Sequence, residues 1–484
     1  GPRMERISLA NVALWTGASA ALAVGGAAAL VWRSLRASEA PTGGKPWTAF
    51  PVRLPACKER LLFSLPCWGS RGDVQPVLLL AQQLLHEGHD VRIALPSEFA
   101  GMAVTFGLGD HLLAYEFPMD MDAMASRTLT DPMGAFQEFF LHLDKLFAAF
   151  SAAAEGADVL VCQWAPFVTQ ISLMLAEHHR MPIFFTAHDP MVLPSPHSYF
   201  KADGSGASSL FHIKTISTMF GFFGHEQLND IRERLAMPPV PRFNQAVPLP
   251  RMWACPTLIT YPCAVAPYEG GPAWYHQAGP WIVRDAAASD QDVDEALQAF
   301  VEAGEPPIYI GFGSWSAQMV PDAEQKAAFT KCLYAALAAS YCRAVVLAGT
   351  TSTDVEAPAS VFVSSFLPHK WLFPRCKGVV HHGGAGTSIL GLSCGRPTIV
   401  IPPTPLQEPW GRMLEACGAG FHVGRKAILQ DCTRVLTDRF RGLSDAAVVE
   451  TAAKVGAEVA EECSRGLPAA VAAMLEDLAA VPRE

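Results

Sequence analysis

Charge is scarce in this chain of 484 residues: Asp, Glu, Lys and Arg together make up 17% of it, against roughly 25% in ordinary soluble domains. What charge there is argues against nucleic acid as a partner. The formal net charge is −10, and Lys and Arg nowhere gather into the basic face that a phosphate backbone requires. Paired cysteines are missing too. The 12 cysteines run from Cys57 to Cys463 with no C-x-x-C pair and no Cys/His spacing of the zinc type, which excludes a zinc module. In so long a chain they read as reduced, mostly buried thiols of a reducing compartment, not a disulfide framework. Disorder is excluded by a hydrophobic content of 50%, a surplus that suits a lipid or a membrane partner.

What is present begins with an uncharged run, Ile7 to Trp32, closed by Arg33 and Arg36. A span of about 20 apolar residues crosses a bilayer, and the run is longer than a signal-peptide core. It reads as a membrane anchor, with a cleaved targeting peptide and a soluble helix as the alternatives. Arg33, Arg36, Lys45, Arg53, Lys58 and Arg60 follow it, against Arg3 and Arg6 before it. The positive-inside rule then puts the main body in the cytosol; as a targeting peptide, the run instead implies an organelle.

After a Pro- and Gly-rich linker the pattern alternates. Leu61–Pro66 reads as a strand, Val74–Leu85 as a helix and "VRIALP" as a strand. Strands "DVLVCQ" (158–163) and "PIFFTA" (182–187) enclose the helical "FVTQISLMLAEHH". A second series follows: strand "PIYIGFG", helix 322–340, strands "RAVVLAG", "VFVSSF" and "GVVHH", helix 386–394, strand "PTIVIP". Such alternation means parallel sheets covered by helices, an α/β protein. Residues 446–480 read as two Ala-rich helices. Stretches rich in aromatics and Met, 136–150 and 210–224, read as amphipathic helices or as an apolar acceptor cleft.

The most specific string is "GVVHHGGAGTSILGLSCGRPTIVIPPTPLQEPWGRM" (378–413). A strand ends at His381–His382, and a glycine-rich turn delivers the chain into a helix. Gly383, Gly384 and Gly386 allow close backbone approach, and the helix N-terminus favours a phosphate. Thr387 adds a hydroxyl and His382 a ring nitrogen.

The string resembles the donor-site motif of family 1 UDP-glycosyltransferases, in particular the sterol glucosyltransferase group and its bacterial antibiotic-glycosylating relatives. "GSRGDVQP" (69–76), "GFGSW" (311–315), "FLPHKWLFPRC" (366–376) and "LNDIRERLAMPP" (228–239) agree in order and spacing, so the resemblance covers roughly residues 60–478. It implies the GT-B architecture, two facing Rossmann-like domains with a cleft between them, here preceded by the N-terminal hydrophobic helix. The implied division is 1–36 anchor, 37–58 linker, 59–262 acceptor domain, 263–305 interdomain linker, 306–445 nucleotide-sugar domain, and 446–484 helices packing back toward the first domain. The implied reaction is inverting transfer of a sugar, glucose from UDP-glucose above all, to a sterol or similar lipophilic alcohol. No cofactor and no metal are expected.

By position, the resemblance gives His382 and the turn Gly384, Ala385, Gly386 and Thr387 to the diphosphate, with Ser314 from the opposing loop. The backbone around Phe366 and Leu367 would hold the uracil, and Gln407 would touch the sugar. Asp73 is the implied general base, with Ser70 beside it. Two departures stand out. Leu406 occupies the place of an Asp that bonds sugar hydroxyls, which implies a different sugar, replacement by Glu408, or lost activity. "TAHDPMVLPSPH" (186–197) replaces a Pro-Trp-Thr run, so His188 and Asp189 either assist or replace Asp73 or are loop residues. The Asp-x-Asp strings at 120–122 and 292–294 read as solvated carboxylates. A dinucleotide fold is set aside because "GSRGDV" lacks the G-x-G-x-x-G spacing. A non-catalytic nucleotide- or lipid-binding protein, and a transferase for a terpenoid, polyketide or other small acceptor, remain as alternatives.

Overall fold

The computed structural model describes residues 46–47, 50–118, 138–190, 193, 224–240, 253–268, 271–282, 293–313, 316, 322–403 and 407–484. The anchor segment 1–36, the string at 120–122 and residues 210–223 lie outside the described residues. Among those described, no helix is long and apolar enough to cross a membrane.

Two parallel sheets organise the chain. The first holds β1 (Leu62–Pro66), β2 (Asp90–Pro96), β3 (Leu112–Tyr115), β4 (Val159–Gln163), β5 (Ile183–Ala187), β6 (Thr257–Ile259) and β7 (Tyr275–Gln277), in the order β3-β2-β1-β4-β5-β6-β7. The second holds β8 (Ile308–Gly311), β9 (Ala344–Leu347), β10 (Val361–Ser364), β11 (Gly378–His381), β12 (Thr398–Val400) and β13 (Gly420–His422), in the order β10-β9-β8-β11-β12-β13. Every residue of β4, β5, β8 and β11 is buried, as expected for strands covered on both faces. Strand β7 joins the first sheet from within the stretch read as interdomain linker.

The helices that matter here are α1 (Arg71–His86), α2 (Leu143–Ala154), α3 (Pro166–His179), α4 (Ala323–Ala339), α5 (Ala385–Ser393), α6 (Glu408–Ala416), α7 (Arg425–Gly442) and α8 (Ala446–Ala479). The sequence reading of two terminal helices is corrected: α8 is one helix with Pro468 inside it. Ala452, Gly456, Val459, Cys463, Gly466, Ala470 and Met474 form one buried face across that proline. Continuous packing along it offsets the roughly 3 kcal/mol that an interior proline costs. That face lies on α5 in one half and on α1 in the other.

Strand order reverses beside β1 in the first sheet and beside β8 in the second. Ligands of open α/β sheets bind beyond the carboxyl ends of strands at such points. The turns that leave β1, β8 and β11 are therefore the places to look.

Candidate active site

The turn after β1 is held by its neighbours on both sides. The Tyr115 hydroxyl at the end of β3 donates to the Cys67 carbonyl at 2.8 Å, and Gln163 at the end of β4 donates to the Trp68 carbonyl. The Trp68 ring meets Phe139 edge-on at 5.0 Å and Phe117 at 6.1 Å, an apolar wall next to the turn. The chain then enters α1 through Ser70. Asp73 reaches back to this start: its Oδ2 accepts from the Ser70 N–H at 2.8 Å and from the Ser70 hydroxyl at 2.9 Å. Gly69, at φ +131°, leaves room for this; a Cβ there would lie 2.5 Å from Asp73 Oδ2. Burial raises the Asp73 pKa above the usual carboxylate range, and the Ser70 bonds pull it partly back.

The turn after β11 is built around histidines. His381, fully buried, accepts the Gly383 N–H on Nδ1 at 3.0 Å. Gly383 has φ +96°, and a Cβ there would stand 2.6 Å from the Gln407 carbonyl. Gly384 opens α5, and no side chain caps it, so the first-turn N–H groups have no intrahelical acceptor. His382 lies over this entrance: its Nε2 falls 2.6 Å from where a Gly384 Cβ would be. Burial lowers the His382 pKa to about 4, so the ring is neutral at pH 7. From the turn after β8, a Cβ on Gly313 would lie 3.7 Å from His382 Cε1.

His369 completes the cluster. The Tyr309 hydroxyl and His369 Nε2 are 2.8 Å apart, and the ring stacks on Phe373 at 4.8 Å. Burial, with a smaller push from the Arg71 charge, lowers its pKa to about 4. Arg71 is the exposed first residue of α1. The first turn of α1, which also carries Asp73, is thus within electrostatic reach of His369 in the other half.

This two-sheet frame has known counterparts. Residues 64–191 match the glycosyltransferase family 28 N-terminal domain, and residues 339–478 match the erythromycin biosynthesis protein CIII-like C-terminal domain. The structure is similar to that of CalG4, the calicheamicin glycosyltransferase, with a TM-score of 0.63 at 16% identity over 88% of this chain and 100% of that one. The chain has the glycosyltransferase GT-B fold.

The GT-B chain also resembles sterol 3-beta-glucosyltransferases over most of its length. It is 28% identical over 447 residues to that of Yarrowia lipolytica, covering 87% of this chain and 29% of the relative. It is 28% identical over 384 residues to one from Arabidopsis thaliana, covering 75% of this chain and 60% of the relative. The chain therefore spans less than a third of the Yarrowia lipolytica relative.

Within the GT-B frame the sequence-predicted residues fall as follows. Ser70 and Asp73 stand at one entrance; His382, Gly384, Ala385, Gly386 and Thr387 form the other. Gln407 is the N-cap of α6, and its carbonyl packs on Gly383. Ser314 and Leu406 lie outside the described residues. Phe366 is 70% exposed, and its N–H and carbonyl both bond the Ser364 hydroxyl, at 3.3 and 2.8 Å. The Leu367 side chain is buried.

His188 is held at both ring nitrogens, by Thr186 at 3.1 Å and Thr260 at 2.6 Å, and burial lowers its pKa to about 4. The Thr260 hydroxyl itself donates to the Ala187 carbonyl, so Nδ1 carries the ring proton and Nε2 accepts from Thr186. This ties β5 to the strand beside it. Asp189 follows it, half-buried. Asp294 caps a short helix, accepting from the N–H groups of Ala296 and Leu297. Among the described residues, no group of three or more His, Cys, Asp or Glu stands so as to hold a metal ion.

The three glycines differ in what a side chain would meet. Of the three glycines expected to admit a ligand, only Gly386 faces open space. Gly383 and Gly384 are required by the Gln407 carbonyl and the His382 ring. The sequence reading singled out neither His369 nor Arg71 as site residues, although both stand inside quoted motifs. Pairing them takes two segments some three hundred residues apart in the chain, which only the fold brings together.

Proposed function

We propose that this chain transfers a sugar from UDP-glucose, or a related uridine diphosphate sugar, to the hydroxyl of a sterol or similar lipophilic alcohol. The observation that carries the proposal is the uncapped entrance of α5, roofed by neutral His382, with the first turn of α1 and its Asp73 near enough in the other half for Arg71 to act on His369. The free N–H groups and helix dipole suit a diphosphate. A neutral imidazole adds an N–H donor without a charge to discharge.

In the proposed reaction Asp73 takes the proton of the acceptor hydroxyl on the oxygen that the Ser70 cap leaves aside. The alcohol oxygen bonds to the anomeric carbon as the bond from that carbon to the diphosphate breaks. UDP departs with the electron pair, and the configuration inverts. The step draws on no metal ion. General base help of this kind contributes about 10²–10⁴-fold.

The sterol assignment is supported by the similar proteins named above and by the apolar wall at Trp68, Phe117 and Phe139. The uncharged run Ile7–Trp32 is proposed to hold the chain at a membrane, with both sheets on the cytosolic side, where such an acceptor partitions. Cell fractionation with and without residues 1–36 tests this: a deletion variant that stays on membranes overturns it.

The test of the activity is UDP release from UDP-glucose with ergosterol present or absent, followed by the product's mass spectrum. A sterol hexoside with stoichiometric UDP supports the proposal. Leu406, in the place of a sugar-bonding Asp, favours a second reading, a binding protein without turnover. UDP binding with no release across several sugars and acceptors would establish that reading instead.

A further inference from the structure

His381 is the buried neighbour of the residue that faces the cleft. Its ring is fully buried, and Nδ1 accepts the Gly383 N–H at 3.0 Å. A backbone N–H only donates, so Nδ1 carries the lone pair and the neutral ring holds its proton on Nε2. That Nε2 is buried and has no hydrogen-bond partner among the described residues. An unsatisfied buried donor is costly, and an apolar side chain in the same place would be free of it. The strand by itself does not explain the choice: β11 is otherwise Gly378, Val379 and Val380, all buried.

What the imidazole supplies is the acceptor for Gly383. This residue sits at φ +96° with no room for a side chain against the Gln407 carbonyl. Its N–H points inward, away from the cleft, so it is withdrawn from any ligand. The N–H groups left for an anion are those of Ala385, Gly386 and Thr387, whose direction depends on how the turn enters α5.

We propose that His381 is a positioning residue: by holding the Gly383 N–H inside the sheet it fixes the turn that aims the first-turn N–H groups of α5 at the donor diphosphate. The proposal rests on the nucleotide-sugar reading of that entrance.

The test compares His381→Leu with His381→Asn by UDP titration calorimetry and thermal unfolding. Asn places an oxygen acceptor close to the position of Nδ1; Leu fills the space with none. His381→Leu is expected to weaken UDP about tenfold, the size of one lost net hydrogen bond, while its unfolding midpoint stays near the wild-type value because the orphaned Nε2–H is gone as well. His381→Asn is expected to bind UDP within about threefold of wild type. Equal UDP affinity for wild type and His381→Leu overturns the positioning role. Parallel loss of affinity and stability in both variants reduces the residue to core packing and also overturns it. Failure of wild type itself to bind UDP sinks the nucleotide-sugar reading instead, so the two failures are distinguishable.

Discussion

Asp73 holds a helix start with one carboxylate oxygen and, in the proposed reaction, takes a proton with the other. Asn keeps an oxygen for the Ser70 N–H but cannot act as a base near neutral pH. Asp73→Asn is therefore expected to lower turnover at least about 10²-fold with UDP affinity nearly unchanged, read by steady-state kinetics beside calorimetry. Full activity in that variant would move the base elsewhere. Removing the Ser70 hydroxyl deletes a bond that lowers the Asp73 pKa. Ser70→Ala should thus shift the acid limb of the kcat/KM profile to higher pH; an unmoved limb would detach Asp73 from the rate. The glycines make a contrasting pair. Gly383→Ala meets both a positive φ and the Gln407 carbonyl, and should cost about 1–3 kcal/mol of stability by denaturant titration. Gly386→Ala meets nothing and should change stability by less than about 1 kcal/mol, yet weaken UDP because the methyl stands where a phosphate would approach. Unchanged UDP affinity in Gly386→Ala would put the phosphate elsewhere.

Helix α8 lies on both helices whose first turns form the candidate site, α1 and α5. Its Glu462, 9% exposed, accepts from the N–H groups of Cys263 at 2.7 Å and Ala264 at 2.9 Å. A helix near the end of the chain thereby holds the segment that joins β6 to β7 in the first sheet. Glu462→Ala leaves both donors without this acceptor, at a cost of about 1–3 kcal/mol. The thermal midpoint should fall clearly, and a midpoint unchanged from wild type would show that the segment is held by other contacts. The same helix shows where local reading stops. Pro468 and the Ala-rich composition suggest a break, but the buried face that runs through it is defined by partners in both halves. Short strands such as β6, β7 and β13 were missed for a related reason: their pairing partners in the sheet mark them as strands.

The histidines bear on the stability of the whole chain. Burial holds His188, His369, His382 and His422 at about 4, from an ordinary 6.5. The unfolded chain takes up these protons first as the pH falls. Their contribution to stability is complete above about pH 6.5 and is lost between there and 4. Asp73 and Glu408, raised by burial, act in the opposite sense but are fewer. The unfolding midpoint should therefore drop progressively from pH 6.5 to 4, followed by circular dichroism; a flat profile would mean that these rings are not buried in neutral form.

The alternation of strands and helices, the two-sheet plan and the glycine entrance with His382 were legible along the chain, because each rests on neighbours a few residues apart: apolar runs, turn residues, a strand leading into a helix. Three features were not. That Gly383 is closed to a side chain depends on Gln407; the hold on His188 Nδ1 depends on Thr260; and the approach of Arg71 to His369 depends on the packing of one half against the other. Each is a contact between segments that only folding brings within reach, and no local pattern encodes such a distance.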